Sequence, residues 1–246
     1  MSSGTGREFM ERTRYRYLGV SDQMKGLSQP PLELPCEIDG DTIELPEPGA
    51  WEIVPVTLYE ALTMRRSVRN FSKSPLTLKE FSYLLWSSQG VKETVDDAAT
   101  FRTVPSAGAR HALETYLLVN RVEGLAPGIY RFLAVDHRLA PLWIDSDVTS
   151  VVSRACLGQE MIAECAVAFI WTAVPYRMTW RYGERGYRYL FLDAGHACQN
   201  LYLSAEAVEC GVCAVAAFDD DAMNDVLDID GVEQFALYLA VVGRKV

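Results

Sequence analysis

The sequence lacks the long apolar run that a transmembrane helix requires. A membrane-spanning helix needs roughly 18 or more consecutive apolar residues, and the longest apolar stretch, Cys165 to Val174, is about half that length. The first residues, Met1 to Glu11, carry charges and glycines but no apolar segment of the kind found in secretion signals. The sequence therefore predicts a protein without a membrane partner, located in the cytoplasm.

Long basic segments and a regular cysteine pattern are also lacking. The chain has 23 Lys and Arg residues against 33 Asp and Glu residues, which gives a formal net charge of −10. Without a basic segment that could follow a phosphate backbone, nucleic acid is not expected as a partner. The six cysteines occur at irregular spacing, which favours free cytosolic thiols over a disulfide framework.

The composition is that of a folded protein with one large domain. Of the 246 residues, 49% are hydrophobic and 23% are charged, which is close to the average of globular proteins. Residues 1–55 are polar, and their prolines interrupt any helical period, so this segment predicts an extended arm. Its aromatic and apolar residues indicate that the arm lies against a body, its own or that of a second subunit. The body is predicted over residues 56–246.

Helices and strands are predicted to alternate along the body. The capping boxes Thr57–Glu60 and Thr77–Glu80 each predict a helix start, the first helix continuing to about Arg66. A longer helix is predicted from Tyr187 to Cys210, where apolar residues recur three or four apart without proline. Strands are predicted at Glu114–Asn120, Gly128–Val135, Leu139–Ile144, Cys165–Ala173, Val212–Phe218 and Phe235–Val242. Short helices are predicted at Asp145–Leu157 and after Asp219–Asp221. This alternation predicts the α+β class.

The segment Arg65–Arg69 is a candidate anion site. Two arginines four residues apart can converge on one side if the chain stays helical there, and guanidinium groups suit a phosphate. The alternative is a solvated basic face at the C-terminal end of a helix.

Two segments of small residues offer exposed backbone to a ligand. In Pro105–Ala109, small side chains let backbone N–H groups approach a flat or anionic molecule, although the segment could also be only a tight turn. In Gly211–Phe218, nothing larger than valine lies between Cys213 and Phe218. With only small side chains in the way, the backbone of this segment could stack against a planar ring.

Cations and phenols are concentrated at Arg181–Tyr189, just before the longest predicted helix. They are hard to explain as plain surface, although the tyrosines could also pack an interface. The pair Cys210 and Cys213 suggests zinc with His196 as a third ligand, but no fourth ligand follows at a suitable spacing. No metal site is predicted.

Together these segments resemble the FMN-dependent nitroreductase family, and in particular its SagB-type dehydrogenase branch, which includes oxidases that aromatise azolines in ribosomal peptides. The resemblance extends over about residues 15–244. It implies an α+β fold with a central mixed or antiparallel sheet flanked by helices, and a homodimer with FMN sites at the interface. The matching segments are Arg65–Phe71, Pro105–Ala109 with Leu113–Glu114, Gly128–Tyr130, Trp180–Asn200 and Gly211–Asp220.

The resemblance also implies roles for individual residues. Tyr182 and Arg181 would be the catalytic pair. The cofactor-binding residues would be Arg65, Arg66, Ser67 and Arg69 on the phosphate and ribityl side, Pro105, Ser106, Ala107, Gly108 and Ala109 along the isoalloxazine, Ala214, Val215, Ala216 and Ala217 as backbone against the flavin near N5, and Arg244 as a second phosphate cation.

The function implied is hydride transfer from NAD(P)H through FMN N5 to a small oxidised acceptor, such as a nitroaromatic or a quinone, by ping-pong turnover. One alternative is a dehydrogenase that oxidises azolines in a ribosomal peptide, and another is a non-catalytic flavin-binding or structural subunit. The sequence departs from the family at three positions. Ala214 and Ala216 stand where many members have proline and glutamate, and Arg181 stands where azoline oxidases have lysine, although arginine is a poor proton acceptor.

Overall fold

The computed structural model describes residues 4–38, 40–51 and 53–246. The helices in this part of the chain are α1 (Thr5–Arg12), α2 (Leu58–Met64), α3 (Leu78–Gln89), α4 (Val148–Ala155), α5 (Met161–Glu164), α6 (Pro175–Tyr182), α7 (Gly186–Glu206) and α8 (Asp220–Leu227). The strands are β1 (Ile43–Glu44), β2 (Val91–Val95), β3 (Ala99–Arg102), β4 (Leu113–Val119), β5 (Gly128–Leu133), β6 (Arg138–Trp143), β7 (Val167–Ala173), β8 (Cys210–Val215) and β9 (Phe235–Arg244). Within these ranges, no helix is both long and apolar enough to span a bilayer.

Seven strands form one sheet in the order β1-β6-β5-β4-β7-β9-β8, and each neighbouring pair is antiparallel. The strands β2 and β3 form a separate hairpin. Helices lie on both sides of the sheet, so the predicted α+β class with a central sheet and flanking helices is confirmed.

The sheet is buried on both faces, as β7 shows, because alternate residues of this inner strand enter two different cores. On β7, Phe169 and Trp171 belong to the core shared with α3 and α7, whereas Ala168 and Ile170 belong to the core shared with α4, α5 and α8. Successive side chains of a strand point to opposite faces. The strand is therefore apolar except for Thr172, which is also buried.

The helices begin where their capping residues predict. The hydroxyl oxygens of Thr57 and Thr77 accept hydrogen bonds from the backbone N–H groups of Glu60 and Glu80, at 3.2 and 3.3 Å. Each glutamate carboxylate in turn accepts a bond of 2.8 Å from the threonine N–H. The side chain of Asp219 caps the N-terminus of α8, the short helix that the sequence predicts at Asp219–Asp221.

Several features differ from the sequence-based prediction. The helix predicted to run to Cys210 ends at Glu206, because the chain turns at Glu209 with a φ of +54° and enters β8. Helix α6 and the β2–β3 hairpin were not predicted. Helix α6 has one usable signal, Pro175 in its first turn, which is the helical position that tolerates proline best.

The N-terminal segment differs from a simple extended arm. From residue 4 onward it contains α1, and β1 pairs with β6 through Ile43 and Leu139, so part of it belongs to the sheet edge. Between these elements it lies against its own body, where the Arg185 guanidinium donates to the Thr13 carbonyl at 2.9 Å. The division at residue 55 stays a prediction.

Candidate functional site

The segment Arg65–Arg69 lies along the edge strand β8. Helix α2 ends before Arg65, whose ψ of 121° turns the chain away from the helix, so the arginines do not share a helical face. The backbone N–H of Val68 donates to the Val212 carbonyl at 2.9 Å. A Cβ atom on Gly211 would lie 2.5 Å from Val68 Cβ. The glycine therefore permits this close approach.

Tyr202 of α7 joins this segment to the segment Ala214–Ala217. Its hydroxyl oxygen accepts a hydrogen bond of 2.8 Å from the backbone N–H of Ala214 and lies 3.0 Å from Ser67 Oγ. The Arg65 guanidinium lies over the Tyr202 ring, 5.4 Å from its centroid. Sequence reasoning missed Tyr202, although a phenol within an otherwise apolar helical stripe is a detectable signal.

The guanidinium groups near β8 differ in their partners. Within the described residues, no ion pair joins Arg65, Arg66 or Arg69 to a carboxylate. Arg244, by contrast, donates to both carboxylate oxygens of Glu80, at 2.6 and 2.7 Å, and to the Val208 carbonyl at 2.7 Å. The first three are available to an anion, whereas Arg244 is already occupied by Glu80.

The loop Pro105–Ala109 has a strained backbone that its neighbours hold in place. Gly108, Ala109 and His111 have φ values of +61°, +52° and +42°, and such conformations cost about 1–3 kcal/mol each for residues other than glycine. The backbone N–H of His111 donates to Ser106 Oγ at 2.9 Å, and Arg110 Nε donates to the Gly108 carbonyl at 3.2 Å. The loop is therefore pre-formed.

The predicted catalytic pair packs directly on this loop. A Cβ atom on Gly108 would lie 2.4 Å from the Tyr182 hydroxyl oxygen and 3.1 Å from Arg181 Nε. The Tyr182 ring also packs edge-on against Tyr189, with 4.9 Å between the ring centroids. The structure thus brings Arg181 and Tyr182 together with the loop.

Asp193 of α7 contacts the loop through Ala107. The sequence alone does not identify it as a site residue. Its Oδ1 accepts a long hydrogen bond of 3.4 Å from the Ala107 N–H. Its Oδ2 has no hydrogen-bond partner among the described residues. Burial raises the pKa of this carboxyl group. Asp193 and Tyr202 lie nine residues apart on α7, roughly 14 Å along the helix, so one helix supports both parts of the site.

Two other titratable groups near the site, His111 and Cys198, are poorly suited to proton transfer near neutral pH. Burial, followed by the charge of Arg102, lowers the pKa of His111 to about 3. Burial raises the pKa of the Cys198 thiol to about 12. In the described ranges, no group of three or more His, Cys, Asp or Glu side chains is placed to hold a metal ion.

A cavity of about 470 Å³ opens beside the bare backbone after β8. Its wall includes Ala216, whose side chain is exposed, together with the aromatic rings of Phe191, Phe218 and Phe235. The last residue of β8 in the sheet ladder is Val215. Ala216 and Ala217 therefore lie beyond the ladder, and the Ala217 carbonyl accepts a hydrogen bond of 2.7 Å from Gln159 Nε2.

Comparison with known proteins identifies related sequences. The model of the nitroreductase family matches residues 62–244. A nitroreductase-family protein of Methanocaldococcus jannaschii is 38% identical over 207 residues, which cover 84% of this chain and 99% of that protein. The trifolitoxin-processing protein TfxB of Rhizobium leguminosarum is 28% identical over 204 residues, which cover 78% of this chain but only 55% of TfxB.

Two solved structures show the same fold. A nitroreductase-family structure from Ralstonia eutropha superimposes with a TM-score of 0.68 at 22% identity, covering 89% of this chain and 99% of that one. A chain of the Escherichia coli microcin synthetase McbBCD complex, with truncated pro-MccB17 bound, gives a TM-score of 0.62 at 18% identity. That match covers 98% of this chain and 92% of the other.

Proposed function

The chain belongs to the nitroreductase family, a family of oxidoreductases that generally bind FMN, and on that premise we propose that it transfers a hydride from NAD(P)H through FMN to a small oxidised acceptor, such as a nitroaromatic or a quinone. The observation that carries the proposal is the packing of the Tyr182 hydroxyl on the Pro105–Ala109 loop. When bound, FMN supplies hydride acceptance and donation at N5. The protein supplies binding, orientation and protons.

The residues present fit an FMN molecule. The guanidinium groups of Arg65, Arg66 and Arg69 have no carboxylate partner in the described part of the chain and suit a phosphate. The cavity beside Ala216 has aromatic walls and bare backbone, which suit a planar ring. Arg244 is the member of the implied set that fits least well, since Glu80 already binds it.

Exposed apolar side chains support the proposal of a homodimer with FMN at the interface. Leu58 and Tyr59 on α2 are 66% and 79% exposed, and Phe191 and Leu192 on α7 are each 57% exposed. Large apolar side chains left exposed at a surface can mark an interaction site. A second copy that covers both helices would bury these groups beside Arg65 and Ala216, and would close the site against water.

A second candidate function is the dehydrogenation of an azoline in a ribosomal peptide. The relative TfxB is named as a trifolitoxin-processing protein, and the microcin synthetase chain matches nearly the full length of this chain. These relatives favour a peptide substrate. Arg181 argues for a small acceptor instead, because a guanidinium stays protonated and cannot act as the base that such an oxidation requires.

The visible spectrum of the purified protein, before and after anaerobic NADPH, tests the proposal. We expect flavin absorption bands that bleach when NADPH is added, because the nicotinamide passes its hydride to the flavin. Bands that persist with NADPH but bleach with an azoline peptide would replace the first function with the second. A colourless protein that takes up no added FMN would leave only a structural role.

The Arg69→Ala variant tests the phosphate site. Loss of a charge-assisted hydrogen bond costs about 1.5–3 kcal/mol, so we expect the FMN dissociation constant to rise by roughly 10- to 150-fold. The quenching of FMN fluorescence during titration measures this constant. Arg154→Ala, which removes an exposed arginine on α4, is the matched control and should bind FMN normally. Equal affinity of the two variants would remove Arg69 from the site.

A further inference from the structure

We propose that Trp180 is a positioning residue, through which the N-terminal segment Asp22–Pro35 holds Tyr182 and the Pro105–Ala109 loop in their working arrangement. This inference rests on the proposed function, because it concerns the same site. It gives a structural role to part of the polar, proline-rich N-terminal segment.

The N-terminal segment binds Trp180 through both its side chain and its backbone. The indole Nε1–H donates to the Leu27 carbonyl at 3.0 Å, and the Trp180 carbonyl accepts a bond of 2.9 Å from the Gln23 N–H. The side chain is only 6% exposed. Trp180 lies in the last turn of α6, directly before Arg181 and Tyr182.

Arg110 connects Trp180 to the loop. Its guanidinium lies over the Trp180 ring, 5.5 Å from the centroid, and its Nε donates to the Gly108 carbonyl. Arg110 Nη2 also donates to the Ala98 carbonyl of the β2–β3 hairpin at 2.9 Å. A shift of the indole ring would therefore move the residue that holds the strained backbone of the loop.

The N-terminal segment is itself fixed to the core, so it can serve as a support. Arg177, one turn before Trp180 on α6, donates to the Pro31 carbonyl at 2.8 Å and forms a buried ion pair of 2.5 Å with Glu114. Glu114 also accepts a hydrogen bond of 2.9 Å from the Leu34 N–H. The contacts from Gln23 to Leu34 thus link the central strand β4 to the end of α6.

Helix α6 needs such a support because it is short and its functional residues lie at its end. An isolated helix of eight residues is marginal in water, and the last turn of a helix is where fraying begins. Gly183 stops α6 immediately after Tyr182, with a φ of +51°. The position of the Tyr182 hydroxyl over Gly108 therefore depends on the contacts of Trp180.

The Trp180→Phe variant tests the proposal, because it removes the Nε1–H donor but keeps an aromatic ring for Arg110. We expect kcat to fall about fivefold. In a Tyr182→Phe background, the same substitution should lower the residual kcat by less than it does in the wild type, since part of the effect of Trp180 passes through Tyr182. Trp143→Phe, on β6, is the control and should retain full activity. An equal loss in both backgrounds, or no loss in either, would overturn the proposal.

Hydrogen exchange of the flavin-free full chain provides a readout that does not depend on turnover. In Trp180→Phe we expect faster amide exchange in peptides covering residues 105–111 and 178–184, and unchanged exchange in α3. A uniform increase along the chain would show a general loss of stability and would overturn the positioning role, as would exchange identical to that of the wild type. If no acceptor supports turnover, the proposed function fails, but this measurement still decides the role of Trp180.

Discussion

Replacing Glu114 with alanine is expected to lower the free energy of unfolding by about 3–5 kcal/mol, because it leaves two buried arginines without their counter-ion. Glu114 is 3% exposed and binds Arg177 at 2.5 Å and Arg131 at 3.0 Å through its two carboxylate oxygens. It also accepts the backbone bond from Leu34. Denaturation with urea, followed by far-UV circular dichroism, measures the loss.

The loss of folding stability in Glu114→Ala should depend on pH. Burial raises the pKa of Glu114, but Arg177 and Arg131 outweigh it and hold the pKa below its ordinary value near 4.5. The ionised carboxylate therefore favours the folded state, and this contribution is full above the pKa of the unfolded chain. It disappears as the pH falls through the lower pKa of the folded state. The difference between wild type and variant should be largest near neutral pH and should narrow in acid.

The exposed pair of Glu44 and Arg138 provides the control for this prediction. Its atoms are 2.7 Å apart, but the Glu44 side chain is 81% exposed, and exposed pairs contribute about 0–1 kcal/mol. Glu44→Ala should therefore leave stability nearly unchanged. Glu114→Ala could instead lower the free energy of unfolding as little as Glu44→Ala does. In that case the buried ion pairs of Glu114 would not be what holds the N-terminal segment to the sheet.

Local patterns in the sequence predict most helices and strands but miss elements without strong periodicity. The capping boxes at Thr57 and Thr77 identify α2 and α3 because the interactions involved lie within four residues. The strand β2 has one half-buried residue followed by four exposed ones, so it shows no apolar alternation. Helix α6 begins with proline and carries several polar residues, so its sequence alone resembles a loop.

The contacts that build the site join residues far apart in the chain, so spacing does not reveal them. Ser67 and Tyr202 are separated by 135 positions, yet their hydroxyl oxygens lie 3.0 Å apart. Glu80 has a clear local role as a capping residue, and nothing in the sequence shows that it also binds Arg244. The resemblance to a family predicts the segments of the site, but only the fold shows which of their charges are already paired.

Replacing Tyr182 with phenylalanine is expected to slow turnover by roughly 10²- to 10⁴-fold, the usual contribution of a general acid or base. The Tyr182 hydroxyl packs on Gly108, while burial and the nearby Arg102 leave His111 neutral, so the phenol rather than the imidazole is placed to donate a proton at the loop. Anaerobic stopped-flow measurements separate the two half-reactions. Reduction by NADPH should be unaffected, and reoxidation by the acceptor should be slow, because only the acceptor takes up a proton.

Tyr189→Phe is the matched control, because the Tyr189 ring packs against Tyr182 and its hydroxyl instead accepts a bond from Arg185 at 2.8 Å. It should keep the rate of both half-reactions. FMN affinity should be normal in both variants, since neither hydroxyl group belongs to the implied phosphate site. If Tyr182→Phe reoxidised as fast as the control, the Tyr182 ring would serve only to pack the loop against α7, and the proton would have to come from water that enters with the acceptor.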